Sequence, residues 1–508
     1  MTGPGPVTPD ASREPSDQHL GEGHSIARST VLAFLVKMTG AVFTAFLTIF
    51  LARVLGSREY GLFSVAVGIS GLAVLPSDFG VSNAVARFVA ERRDERSRVQ
   101  AILADGLRIK LLAAVTLSAV LIVLAKPIAN AYGLPGLVWP LRGMAVALFG
   151  QSVMLMAGVF VAVGRIDHQL RTAFAESATE TVASVTLVLA GAGAAGAAFG
   201  QAAGYAVGAG VTVVLLKRFF GGAVMPGGLR LGAEARRIVG YGGVLLIVDS
   251  AYTAFTQIDV LIIGAYAGAS AAGTFSAPMK LITFFGYPGS AMSSGVSPRI
   301  TRGAVGGPNT AAFLAALRLL LIVQAGITAF VLGWAHLLIQ IGLGGGYAPS
   351  VGVLRALSPY VFLLGFGTLV SISVNYLGEG ARRVPVALVT LGVNVGLDLW
   401  LVPKLGAIGG AIGTDVAYAL YAPAHLYLCQ RSLGLDLRPA LLTFARTSLA
   451  GAALTGVLLL FGDPLSLGEV WRTALGGLVG LVVFGIVLWM TREVSSAEVR
   501  ERLRGALP

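Results

Sequence analysis

Apolar residues dominate the chain from about residue 28 onward, in stretches of about 20 residues that are separated by short polar or glycine-containing segments. A helix of about 20 residues is long enough to cross the ~30 Å hydrocarbon core of a membrane. The pattern predicts fourteen membrane-spanning helices, at approximately 28–53, 60–83, 105–126, 137–162, 172–191, 194–216, 238–264, 272–297, 312–333, 351–377, 384–401, 407–429, 440–461 and 472–491. We therefore expect an all-α, polytopic membrane protein.

The composition agrees with this prediction. Of 508 residues, 55% are hydrophobic and 12% are charged, and the mean hydropathy is +0.80. Soluble domains carry roughly a quarter charged residues, so the low charge content favours a membrane protein. Residues 1–24 contain no apolar run and predict a disordered tail rather than a signal peptide.

Lysine and arginine predict the orientation of the helices. The connections after the even-numbered spans, together with the two tails and the adjoining span ends, contain 25 of the 37 basic residues, whereas the connections after the odd-numbered spans and their adjoining span ends contain five. Basic residues collect on the cytoplasmic side of membrane proteins. The pattern predicts that both termini are cytoplasmic in a multi-pass protein of the cell membrane. It also explains the net charge of +12 without a nucleic-acid partner.

An internal repeat predicts two related halves. A shift of 212 places Gly56, Gly61, Phe63 and Ser64 on Gly268, Gly273, Phe275 and Ser276. A shift of 213 places the segment from Gly193 to Tyr205 on the segment from Gly406 to Tyr418. Because each half has an even number of spans, the repeats are parallel. We expect a tail (1–24), a first six-helix lobe (25–216), a cytoplasmic linker (217–237), a second six-helix lobe (238–429), an extra helix pair (430–491) and a cytoplasmic tail (492–508).

Polar residues lie on one face of two repeat-related helices. The first predicted helix carries Thr30, Lys37, Thr44 and Thr48, and the seventh carries Asp249, Thr253 and Thr256. The 212 shift aligns Lys37 with Asp249 and Thr44 with Thr256, so the two polar faces are equivalent. They predict a hydrated cleft between the lobes. A structural ion pair between Lys37 and Asp249 is a second interpretation, compatible with the first.

Other charged residues also fall inside predicted spans, where charges usually face a cavity or a partner. Lys280 lies deep in the eighth span, whereas Arg142 and Arg355 lie near span ends, where snorkelling to the interface also explains them. Glu176 and Glu180 are one helical turn apart and are candidates for a proton or cation site, or for pairing with a nearby cation. The roles of Asp398 and Asp415 stay undecided.

Catalytic and metal-binding patterns are absent from the sequence. Cys429 is the single cysteine, no His/Cys/Asp cluster has metal-ligand spacing, and no Ser-His-Asp arrangement can be assembled. We therefore expect a protein that is not an enzyme and has no cofactor and no metal.

Two segments resemble a known family. "LARVLGSREYGLFSVAVGISGLAVLPSDFGVSNAVARFVAE" (51–91) and "VPKLGAIGGAIGTDVAY" (402–418) are similar to polysaccharide-biosynthesis membrane proteins of the O-antigen and capsule flippase type. These belong to the multidrug/oligosaccharidyl-lipid/polysaccharide exporter superfamily. The resemblance implies an alternating-access exporter of polyprenyl-diphosphate-linked oligosaccharide. Its implied partners are this lipid-linked substrate, membrane lipids, and a glycan polymerase and glycosyltransferases. Family cavities tend to be cationic, which makes Lys37, Arg142, Lys280 and Arg355 the candidate substrate-binding residues.

Two other functions remain open. A cation-coupled multidrug antiporter of the same superfamily would share the architecture and use acidic cavity residues such as Glu176, Glu180 and Asp249. A membrane glycosyltransferase or ligase is less favoured, because such enzymes usually have a large extracytoplasmic loop and the outer connections here are short.

Overall fold

The structure is a computed structural model that describes residues 26–224, 228, 230–300, 308–462 and 470–494; within these ranges, the side chains of 26–34, 37, 223, 242–249, 252 and 298 fall outside the description. The described residues are largely helical and contain no strand. The helices are α1 (Ile26–Asp78), α2 (Val81–Glu91), α3 (Arg96–Ala131), α4 (Val138–Met154), α5 (Gly158–Ala162), α6 (Ile166–Leu187), α7 (Gly193–Phe220), α8 (Ala235–Tyr266), α9 (Gly268–Phe285), α10 (Tyr287–Val296), α11 (Thr310–Gly333), α12 (Ala335–Gly342), α13 (Ser350–Ala356), α14 (Ser358–Tyr376), α15 (Arg383–Leu405), α16 (Ala407–Leu433), α17 (Arg438–Phe461) and α18 (Val470–Met490).

These helices confirm the predicted all-α membrane fold. Nine helical segments of the described chain are long and apolar enough to cross a membrane. Two of them, Met38–Asp78 and Ile166–Phe220, are interrupted by glycines with positive φ, Gly56 (69°) and Gly191 (88°). A break of this kind lets one long segment fold back and supply two spans. The count of fourteen spans stays a prediction.

Two short helices, α2 and α12, lie in predicted connections and were not predicted. Helix α2 occupies the start of a basic connection, and it buries one face through Val81, Val85 and Phe88. The chain reaches it through two left-handed residues, Phe79 (φ 47°) and Gly80 (φ 68°). Because α2 is short and amphipathic, it does not form the long apolar run by which membrane spans are recognised.

Repeat-related glycines have the same backbone conformation. Gly56 and Gly268 both have positive φ, at 69° and 83°. Gly193 (φ 53°, ψ −141°) and Gly406 (φ 58°, ψ −133°) match even more closely. This agreement is what an internal repeat with equivalent turns predicts. The boundaries of the two lobes stay a prediction.

The two lobes touch through repeat-related residues of α1 and α9. A Cβ atom added at Gly61 would lie 1.8 Å from the carbonyl oxygen of Ala269, and one added at Gly273 would lie 1.9 Å from that of Ser57. One turn further, the Ser276 hydroxyl donates a hydrogen bond of 2.8 Å to the Ser64 hydroxyl. The backbones can approach so closely only because both facing residues are glycine. This contact closes the space between the lobes at the end predicted to be extracytoplasmic.

The serine contact predicts a reversible crosslink. In Ser64→Cys/Ser276→Cys, an oxidant should form a disulfide, because the two hydroxyl oxygens are 2.8 Å apart. If the lobes must separate here during transport, the disulfide should reduce transport to background and a reductant should restore it. The native Cys429 is buried and should not compete. Full transport by a quantitatively crosslinked protein would show that this contact does not open.

Candidate functional site

A cavity of about 460 Å³ lies between the two lobes, next to the α1–α9 contact. Its walls come from α1, α6 and α7 of the first lobe and from α8, α9 and Tyr360 of α14 in the second lobe. The repeat-related serines Ser64 and Ser276 line it, so the cavity lies where the halves meet. A site built by both lobes changes shape whenever the lobes move relative to each other.

Five predicted candidates line this cavity: Thr44, Glu176, Glu180, Thr256 and Lys280. They come from both lobes, and Thr44 and Thr256 are the repeat-related pair that the 212 shift aligned. The side chains of Lys37 and Asp249 lie outside the described residues, so the predicted polar faces are described only in part.

The other two candidates lie elsewhere. The guanidinium of Arg142 lies over the ring of Trp139, 4.9 Å from its centroid, and Trp139 is 59% exposed. Arg355 is exposed on α13. Neither residue lines the cavity. The exposed position of Arg355 fits the snorkelling interpretation, in which an arginine near a helix end reaches the membrane interface, whereas the Nε atom of Arg142 is buried.

The charged groups of the cavity face one another across the lobes. Glu176 and Glu180 project from one face of α6, and the Ser177 hydroxyl donates a hydrogen bond of 2.8 Å to the Glu176 carboxylate. Helix α7 packs closely behind them, since a Cβ added at Gly204 would lie 2.6 Å from the Cβ of Glu180. Lys280 of α9 lines the same cavity from the second lobe.

Most of the remaining lining is uncharged and polar or aromatic. It comprises Thr48, Tyr60, Ser64, Thr181, Gln201, Tyr205, Gln257, Ser276, Thr283 and Tyr360, together with apolar residues. Hydroxyl and amide groups can both donate and accept hydrogen bonds, and aromatic rings offer flat apolar faces. The cavity can therefore bind a polar ligand that carries many hydroxyl groups and a small number of charges.

A second cluster of polar residues, which was not predicted from the sequence, lies beside the cavity. Asp259, Asn394, Asp398 and Thr414 come from α8, α15 and α16, and all are at most 3% exposed. The Thr414 hydroxyl donates a 2.6 Å hydrogen bond to Asp259, but both oxygens of Asp398 have no donor among the described residues. Burying the ionised carboxylate of Asp398 without a donor next to that of Asp259 is costly, so a bound proton or cation would stabilise the cluster.

No three His, Cys, Asp or Glu side chains of the described ranges are grouped so that they could hold a metal ion.

An apolar groove of about 910 Å³ lies on the other side of α14 from the cavity. Residues of α11, α14, α16 and α17 line it, including Leu321, Phe362, Phe366, Leu441 and Phe444. Within α14, Tyr360 lines the cavity whereas Pro359 and Leu363 line the groove. One helix therefore separates a polar compartment from an apolar one.

Solved structures with the same fold are transport proteins. The lipid II flippase MurJ in an inward closed conformation matches with a TM-score of 0.74 and 13% sequence identity, over 92% of this chain and 99% of that chain. A multidrug resistance MATE family transporter of the MOP superfamily in an inward-facing conformation matches with a TM-score of 0.64 and 17% identity, over 80% and 98%. An outward-facing conformation of a MATE family transporter matches with a TM-score of 0.54 and 16% identity, over 80% and 96%. At these identities the matches show the fold.

The family follows from the sequence itself. No curated protein sequence matches the chain. The profile of one family, described as polysaccharide biosynthesis protein, matches residues 26–302, which is more than half of the chain. The protein is therefore a polytopic membrane protein that belongs to the polysaccharide biosynthesis protein family.

Proposed function

We propose that this protein is an alternating-access flippase that moves polyprenyl-diphosphate-linked oligosaccharide from the inner to the outer leaflet of the cell membrane. The observation that carries the proposal is the placement of a polar cavity and a long apolar groove on opposite sides of one helix, α14. An α-helix with its side chains is about 10 to 12 Å across. A ligand with a polar head and a long apolar tail is the class that uses both compartments at once.

The head of such a ligand suits the cavity. Its diphosphate needs a cation once water is removed, and Lys280 supplies one from α9. Its sugars need hydrogen-bonding partners and apolar faces, which Tyr60, Gln201, Gln257 and Tyr360 provide. We infer transport rather than catalysis, since the matched structures are a flippase and multidrug transporters.

The tail suits the groove. Its lining consists mainly of Leu, Phe, Ala and Gly residues. Helix α17, which belongs to the predicted extra pair beyond the repeat, forms much of one wall. A polyprenyl chain in this groove stays in an apolar environment while the head crosses. Exposing the chain to water would instead cost about 0.8 kcal/mol for each CH₂ group.

The proposed direction depends on the predicted orientation, which cysteine labelling tests. Arg58 and Asp94 are exposed in connections that are predicted to lie on opposite sides of the membrane. We expect Arg58→Cys to react with an impermeant thiol reagent in intact cells and Asp94→Cys to react only after lysis, since basic connections stay cytoplasmic. The reverse sidedness would overturn the orientation and hence the direction of transport.

The function itself is tested in a strain that lacks the gene. We expect lipid-linked oligosaccharide to accumulate in the inner leaflet and the wild-type gene to restore its export. An unchanged distribution between the leaflets in the deletion strain would contradict the proposal.

A cation antiporter is the second candidate, and one observation favours it. The described lining of the cavity contains three carboxyl groups, on Glu176, Glu180 and Asp259, and one ammonium group, on Lys280. Acidic cavities suit cationic substrates. An unchanged leaflet distribution together with a changed efflux of a cationic dye would favour this candidate.

A further inference from the structure

The charges of the central cavity oppose the binding of an anion when they are all ionised. Among the described lining residues, Glu176, Glu180 and Asp259 are acidic and Lys280 is the one cation. A diphosphate would then meet net negative charge in a partly desolvated site. The proposed function therefore requires that some of these carboxyl groups be neutral while the substrate is bound.

The geometry singles out Glu176 and Glu180 among the three. Both are half-buried, line the cavity and lie one turn apart on α6, so two ionised carboxylates there would repel each other. Asp259 differs, because its side chain is buried and accepts a hydrogen bond from the Thr414 hydroxyl. Lys280 lines the same cavity from the opposite lobe.

Few other polar or charged groups of the described residues face Glu176 and Glu180. Tyr205 and Gln201 face the pair from α7, Thr44 lines the cavity from α1, and Lys280 faces the pair from α9. Within this described set, Lys280 is the group whose charge opposes that of the carboxylates. The side chain of Lys37, also on α1, lies outside the described residues.

We propose that Glu176 and Glu180 form a proton-binding switch that decides which sign of charge the cavity accepts. When both are protonated, they carry no charge that opposes an anion, and Lys280 binds the diphosphate. When they are ionised, their negative charge offsets that of Lys280 and the cavity excludes anions. Each proton comes from water on the side to which the cavity is open and returns to water on the side where the substrate leaves.

This inference rests on the proposed function and adds the order of events to it. The anionic head and the protons enter the cavity together, and they leave it together. The same residues explain how an acidic cavity can serve an anionic substrate. They also link the occupancy of the cavity to the contact between the lobes, because Glu180 and Lys280 belong to different lobes.

Binding of farnesyl diphosphate by the purified full chain tests the switch. Calorimetric titrations at about pH 5 and about pH 9, on either side of the range in which most perturbed carboxyl groups titrate, compare the wild type with Glu176→Gln/Glu180→Gln. We expect the wild type to bind about tenfold or more tightly at the lower pH, as removal of one or two nearby like charges predicts. The double variant should bind tightly at both pH values.

The ligand changes its own charge between the two pH values, so the difference between the proteins is the informative quantity. With the double variant, the diphosphate of the ligand still titrates, but the carboxyl groups of Glu176 and Glu180 are no longer present to do so. Glu95→Gln serves as the control, since Glu95 is exposed in a connection outside the cavity and should leave the wild-type pH dependence unchanged. Melting curves establish that each variant is folded.

The possible outcomes separate the switch from the proposed function. Tight binding at both pH values by the wild type, with no effect of the double variant, would refute the switch and leave the flippase proposal standing. Binding of tetraphenylphosphonium but not of farnesyl diphosphate at either pH, by every folded protein, would refute the flippase proposal itself.

Discussion

Lys280→Gln should lower export of the lipid-linked oligosaccharide about tenfold to a hundredfold at unchanged protein level, which corresponds to the loss of one charge-assisted contact. Lys280 is the one cation in the described lining of the cavity, and glutamine keeps a donor and most of the side-chain length without the charge. The measurement is the leaflet distribution of lipid-linked glycan at matched expression. Cells with the variant should accumulate the glycan lipid in the inner leaflet.

Arg355→Gln is the matched control for this prediction. The residue type and the change in charge are similar, but Arg355 is exposed and lies outside the cavity lining. Export by Arg355→Gln should stay within about twofold of the wild type, as is typical of exposed positions away from a site. Equal losses in the two variants would mean that net charge, rather than a contact inside the cavity, supports export.

Gly61→Leu should stop the transport cycle by preventing closure of the lobes. Even a Cβ at this position would lie 1.8 Å from the carbonyl oxygen of Ala269, and backbone on both sides leaves no room for movement of a side chain. We expect transport near background and a cavity that stays open to the outside. Thr44 lines the cavity, so in this variant a Thr44→Cys side chain should always be accessible to an impermeant thiol reagent added outside the cell.

Gly210→Ala is the control for the glycine prediction. Gly210 also lies in a helix, α7, and an added Cβ there meets no atom within 4 Å. The variant should transport normally, because alanine is a better helix former than glycine. Normal transport by Gly61→Leu would show that the α1–α9 contact is not part of the cycle.

The overall fold was predictable because apolar length and glycine turns are properties of the local sequence. The helix breaks inside predicted spans were not predicted. Helix α9 ends and α10 begins at Gly286, and α13 ends and α14 begins at Leu357. Each break lies two residues before a proline. A proline disfavours helical conformation at the preceding residue, so Pro288 and Pro359 were the available signals.

The site was predictable in part, for a physical reason. The rule that embedded charges face a cavity identified Glu176, Glu180 and Lys280, since burial in a membrane is costly unless a polar space is present. The same rule selected Arg142 and Arg355, which lie outside the cavity. Sequence position near a span end does not distinguish an arginine that reaches the interface from one that points inward.

The buried cluster beside the cavity shows a further limit. Asp259 and Thr414 are 155 residues apart in sequence and come together only because α8 and α16 pack side by side. No short motif marks such a cluster. The available signal was a set of polar residues, Asp259, Asn394 and Asp398, inside otherwise apolar spans.

Translocation by the purified protein in liposomes tests the central claim most directly. A polyprenyl-diphosphate oligosaccharide with a fluorescent sugar is placed in both leaflets, and an impermeant reagent outside quenches only the sugars that reach the outer surface. We predict that wild-type protein accelerates the movement of the buried fraction at least about tenfold over empty liposomes, while Lys280→Gln gives little acceleration. No acceleration by folded wild-type protein, together with transport of tetraphenylphosphonium by the same liposomes, would contradict the claim that the protein is a lipid-linked oligosaccharide flippase.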